Sequence, residues 1–130
     1  AKLGAVHGFA GPLGGMFSAP HGGVCAALLP HASLTNVAAL QARDPGNQAV
    51  GRYTEIARWL TGNPDATLDD GVAWLQETLE LLQIPGLGAY GISESDFPII
   101  IEKSKNASSM KGNPLVLTED ELASILRAAL

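Results

Sequence analysis

Apolar residues along this chain recur three or four positions apart and almost nowhere in strict alternation. That periodicity predicts an all-α fold. The clearest stripe is Val72, Leu75, Leu79 and Leu82, which follows Thr67-Leu68-Asp69-Asp70. In that start the threonine caps the free backbone N–H groups, and the two aspartates face the positive end of the helix dipole. Thr118-Glu119-Asp120-Glu121 fits a capping box ahead of Leu122, Ile125, Leu126 and Ala129. Asn47, after the Asp44-Pro45-Gly46 turn, predicts a helix running to Thr61 with Val50, Ile56, Ala57 and Leu60 inward, stopped by Gly62-Asn63-Pro64. Ser93-Glu94-Ser95-Asp96 reads as a further start. The β-branched run Pro98 to Ile101 suits a buried helix turn as well as a short strand.

The N-terminal third carries smaller residues. Leu3 to Phe17 reads as a helix whose backbone packs closely on its neighbours, since its glycines and Pro12 give it little intrinsic propensity. Pro20 opens a second buried helix, with Val24, Leu28 and Leu29, that is expected to end at Pro30. Ala32 to Gln41 forms a separate, weaker helix. The expectation is six or seven helices in a single helical domain spanning residues 1–130, a length that buries roughly two thirds of the unfolded surface.

Composition narrows the function classes. Eight Lys plus Arg and a formal net charge of −5 argue against nucleic acid, whose affinity depends on clustered cations. The longest unbroken apolar runs fall far short of the ~20 residues that span a bilayer, so no membrane partner is expected. One cysteine, Cys25, forms no internal disulfide, and a reducing, cytoplasmic setting is the simpler expectation.

Candidate chemistry centres on His7 and His21 in the glycine-rich opening. Each is compatible with a hydrogen-bonded structural histidine or with a metal ligand, and two histidines 14 residues apart (21 − 7) do not complete a site. His31 beside Pro30 suits the negative end of a helix dipole, and Cys25 suits a small buried apolar position. Gly86-Leu87-Gly88-Ala89-Tyr90-Gly91 has the spelling of a dinucleotide loop, but it follows a helix where such loops follow a strand. A helix-ending turn is the expected structure there. No Gly-x-Ser-x-Gly nucleophile motif occurs.

The run from Gly4 to Gly22, GAVHGFAGPLGGMFSAPHG, resembles the signature of the iron-containing alcohol dehydrogenase family. Val24 through His31, the glycine turn after Ile84-Pro85, and Asn113-Pro114 before the last helix are similar to that family's C-terminal half. The resemblance implies the helical domain of a dehydroquinate-synthase-like, iron-dependent alcohol dehydrogenase fold. It implies Fe²⁺ or Zn²⁺ held by one aspartate and three histidines, with His7 and His21 matching the last two. NAD(P) would be bound mainly by an N-terminal domain, and the substrate would be a small alcohol or aldehyde. The Asp-x-x-x-His pair that supplies the family's other ligands does not occur here, so the chain is expected to be part of a larger enzyme. The resemblance also implies a cofactor-side position at Gly11, where many members carry histidine, and a substrate side at Phe17, Ser109 and Asn113. It leaves assembly into a homo-oligomer open. The competing expectation is a non-catalytic helical interaction module or an inactive truncated fragment, and metal content separates the two.

Overall fold

The computed structural model describes residues 3–130. The described residues form six α-helices and no strand: α1 (Ala5–Phe17), α2 (His21–Arg43), α3 (Gln48–Thr61), α4 (Leu68–Leu81), α5 (Phe97–Asn106) and α6 (Glu119–Ala128). Short 3₁₀ turns at Leu87–Tyr90, Glu94–Asp96 and Ser108–Gly112 join the later helices.

The predicted starts lie where local capping chemistry is strongest. Asn47 Oδ1 accepts from the Ala49 N–H at 2.9 Å. Thr67 and Asp70 cap one another's backbone, as do Thr118 and Glu121. Ser93 and Asp96 form the same box around a 3₁₀ turn that runs directly into α5, so Pro98 to Ile101 is helical.

Pro30 does not end a helix. The two segments expected on either side of it form one 23-residue helix, α2. Proline removes one backbone donor and crowds the preceding turn. Here Leu28, Pro30, Ala32 and Ser33 are all buried, so packing holds the turn closed, and the Ser33 hydroxyl donates to the Leu29 carbonyl at 2.8 Å. His31 therefore lies in mid-helix, away from the dipole's negative end, and burial pushes its pKa down. The unbroken α2 is also long and apolar enough to cross a bilayer by length and composition, which the shorter runs in the sequence did not suggest. More than half of its most apolar window is buried inside the protein, as befits a core helix.

The core joins α1, α2, α5 and α6 through Phe9, Leu13, Val24, Leu28, Ile100 and Ile125. Leu122, Ile125, Leu126 and Ala129 of α6 are all buried as their spacing requires. The α3–α4 pair is less deeply covered. Gly71 lets α4 press onto α3, since a Cβ there would lie 2.6 Å from Ala57 Cβ. Only Ala57 of the expected inward stripe on α3 is buried, whereas Ile56 is 46% exposed. Leu82, expected on the inner face of α4, is 63% exposed just beyond its end. The reason is geometric: a helix packed this closely through a small residue covers a narrow stripe, not half its circumference.

The Gly86–Gly91 turn docks on the C-terminus. The Leu87 and Gly88 N–H groups donate to the Ala129 and Leu130 carbonyls at 2.8 and 3.2 Å. Gly86 has no room for a Cβ against the Leu130 carbonyl, and Gly91 adopts φ +82°, a left-handed conformation that favours glycine. These glycines serve backbone packing.

Gly86→Ala should therefore destabilise the protein by about 1–3 kcal/mol in urea unfolding, because the added carbon meets backbone that cannot swing aside. Gly11→Ala, where a Cβ meets nothing within 4 Å, should be neutral or stabilising by up to ~1 kcal/mol. Acid sensitivity follows from two carboxyls held below their ordinary range: Asp70 by hydrogen bonds from Thr67, and Glu121 by the Arg43 guanidinium. A lowered folded pKa adds stability above the unfolded value and loses it as pH falls through the folded one. Glu121→Gln should accordingly flatten the decline in stability below about pH 4, measured as urea midpoints across a pH series.

Candidate metal centre

The site begins with how the chain returns from α1. His7 lies ten residues before the end of α1 (17 − 7), a distance of about 15 Å along a helix. Ser18, with φ +51°, ends that helix, and Ala19 and extended Pro20 turn back along it, the Ala19 carbonyl lying against Gly14. Four residues of extended chain retrace up to ~14 Å. Helix α2 thus opens with His21 beside His7.

The two imidazole rings lie with centroids 5.3 Å apart, tilted by 55°. His7 is half-buried and His21 exposed. One turn into α2, Cys25 Sγ lies 3.5 Å from His21 Nε2. Nitrogen atoms of both histidines and the cysteine sulfur all fall within 4.8 Å of one another, and among the described residues this is the group of His, Cys, Asp or Glu side chains close enough to share a metal ion. Burial raises the pKa of the Cys25 thiol. Cys25 thus does more than fill a small apolar position: its sulfur faces the histidine pair. The available signal was His21-x-x-x-Cys25, an i, i+4 pair that any helix puts on one face.

The donor chemistry suits a borderline divalent cation. Imidazole nitrogen binds Fe²⁺ and Zn²⁺, and the separations are those that small side-chain rotations close onto one ion. No carboxylate joins the group among the described residues.

The remaining residues singled out from the sequence lie around this centre in different ways. Gly11, one turn after His7 on α1, is exposed, and a side chain there would point into open space. Phe17 is half-buried and packs on the core. Ser109 is half-buried in the 3₁₀ turn that packs on α1. Asn113 has its amide engaged inside the fold: Oδ1 accepts from the Ala5 N–H at 3.1 Å, and Nδ2 donates to Asn36 Oδ1 at 2.7 Å and to the Leu115 carbonyl at 2.9 Å. Asn36 returns a bond to Asn113 Oδ1 and reaches the Tyr53 hydroxyl. Tyr90, from the glycine turn, brings its hydroxyl over Gly23, so close that a Cβ there would lie 2.7 Å from it.

Residues 1–130 match the model of the iron-containing alcohol dehydrogenase family, C-terminal part. The chain belongs to this family. It is 31% identical to 1,3-propanediol dehydrogenase of Citrobacter freundii, across 99% of this chain and 33% of that protein. It is 33% identical to alcohol dehydrogenase 4 of Schizosaccharomyces pombe, across all of this chain and 29% of that protein. Two solved iron-type dehydrogenases share the fold: an alcohol dehydrogenase from Oenococcus oeni (TM-score 0.83, 32% identity, covering all of this chain and 33% of that one) and a 1,3-propanediol oxidoreductase (TM-score 0.77, 30% identity, covering 98% and 33%). The chain spans about a third of the length of the relatives it matches.

Asn113→Ala should lower stability by about 1–3 kcal/mol, since it leaves the Ala5 N–H and the Asn36 amide without their partner. Urea unfolding measures it, and Asn113→Asp, which keeps the oxygen acceptor, should recover part of the loss.

Proposed function

We propose that this chain is the metal-binding and substrate-side portion of an NAD(P)-dependent, iron- or zinc-dependent alcohol dehydrogenase that interconverts an alcohol and an aldehyde or ketone by hydride transfer. The observation that carries the reading is the convergence of His7 and His21 from two helices onto one point, within a chain of this family. The named activities of its relatives support the reaction class.

In this reading His7 and His21 bind Fe²⁺ or Zn²⁺ as neutral imidazoles, each through one ring nitrogen, leaving the other to fix the tautomer by hydrogen bonding. An aspartate and a third histidine come from an earlier helix of the same helical domain, and NAD(P) is bound mainly by an N-terminal domain. The bound metal supplies Lewis acidity to the substrate oxygen, and the nicotinamide carries the hydride. The chain's own contribution is placement. Tight α1–α2 packing holds the two imidazoles in a fixed mutual geometry, which lowers the cost of assembling the site.

Gly11 leaves space on the cofactor side where many members carry an imidazole, so proton transfer through a side chain at that position is not part of this reading. Phe17 and Ser109 form the substrate side, with Asn113 acting on it by holding the start of α1. A reducing, cytoplasmic setting keeps Cys25 a thiol.

The test uses the full-length protein with its upstream sequence. It should bind close to one Fe²⁺ or Zn²⁺ per chain by elemental analysis and show NAD(P)-linked alcohol oxidation. His7→Ala and His21→Ala should each lower metal affinity and kcat/KM by more than ~100-fold, given that even residues behind metal ligands cost about 10–100-fold. A full-length protein that binds neither metal, with activity untouched in the double variant, would overturn the reading and favour an interaction module.

A further inference from the structure

Cys25 is the chemically distinctive group beside the histidine pair. It lies four residues after His21 on α2, so the helix itself sets its sulfur on the same face as the imidazole. The side chain is half-buried, with its sulfur directed at the ring and not wholly enclosed by the core it borders. Resting on the reading above, we infer that Cys25 is itself a metal ligand of this site. With His7 and His21 it forms a His-His-Cys face that biases the protein toward Zn²⁺ over Fe²⁺.

The distances carry the inference. When a nitrogen at about 2.05 Å and a sulfur at about 2.3 Å share a tetrahedral ion, they lie about 3.5 Å apart. Cys25 Sγ and His21 Nε2 are separated by 3.5 Å. His7 completes the triangle with every donor pair inside 4.8 Å, a little wider than a bound set, and rotation about the histidine side-chain bonds closes the difference. Beside the aspartate and third histidine of the reading above, Cys25 adds a sulfur to a set of oxygen and nitrogen donors. A sulfur donor also changes which ion is preferred, because thiolate favours softer cations than imidazole or carboxylate alone. On binding, the thiol S–H bond breaks, its electron pair forms the sulfur–metal bond and its proton passes to water; no oxidant or reductant takes part.

The obvious competitor is a plain S–H···N hydrogen bond of the same length, which makes no contact with metal. Full-length protein reconstituted with Co²⁺ separates the two. A thiolate on cobalt gives an intense near-ultraviolet charge-transfer band that nitrogen and oxygen donors do not. We expect that band in the wild-type protein and its loss in Cys25→Ala and Cys25→Asn, with circular dichroism checking that both variants fold. We also expect the preference for Zn²⁺ over Fe²⁺, measured by competition, to fall by about 10-fold in the variants. Stoichiometric Co²⁺ without the band in wild-type protein would overturn the inference even if neither variant folded, and so would an unchanged zinc preference in folded variants. Metal retained equally by folded His7→Ala and His21→Ala proteins would overturn the histidine site itself. Metal lost in those variants with no thiolate band in the wild type would remove Cys25 alone.

Discussion

Helix α1 has no cap of its own, and the site depends on what replaces it. Gly4 precedes the helix without a side chain to accept a hydrogen bond, four glycines and Pro12 lie inside it, and no acidic residue lies in its first turn. A helix of this composition is marginal in isolation. The missing acceptor comes from Asn113, 108 residues away, whose Oδ1 takes the Ala5 N–H. His7 lies two residues further on. The orientation of one imidazole is thus tied to an amide pair, Asn36 with Asn113, that also joins α2 to the segment before α6.

The low propensity of α1 has a structural counterpart. Gly8 has no Cβ because Met110 occupies that space. Gly11 and Gly15 do something different, since nothing lies over them. His21 and Gly22 are exposed as well. Glycine is used on one face for close internal packing and on another to leave room for approach.

Much of the fold was legible in the residues because helix starts are local events. Asn47, Thr67 and Thr118 each act within three positions of themselves, and the buried stripe of α6 follows from one period. The same locality explains the errors. Pro30 reads as a break when only its own turn is considered, but the apolar residues packed on either side keep α2 continuous. Ile56 and Leu82 lie on apolar stripes, and only the narrow α3–α4 contact decides that they stay outside.

For the site, sequence alone singled out the family signature and two candidate ligands within it, His7 and His21 in a glycine-rich run. It also argued against the Gly86–Gly91 run as a dinucleotide loop, because the helix predicted ahead of it stands where such loops need a strand. The tertiary structure decided that the two imidazoles meet, that Cys25 faces them, and that Asn113 serves as a distant cap. The division has a physical cause. Capping and periodicity are set by neighbours within about one helical turn, whereas the meeting of His7 and His21 depends on a connection that doubles back and on packing that holds it there.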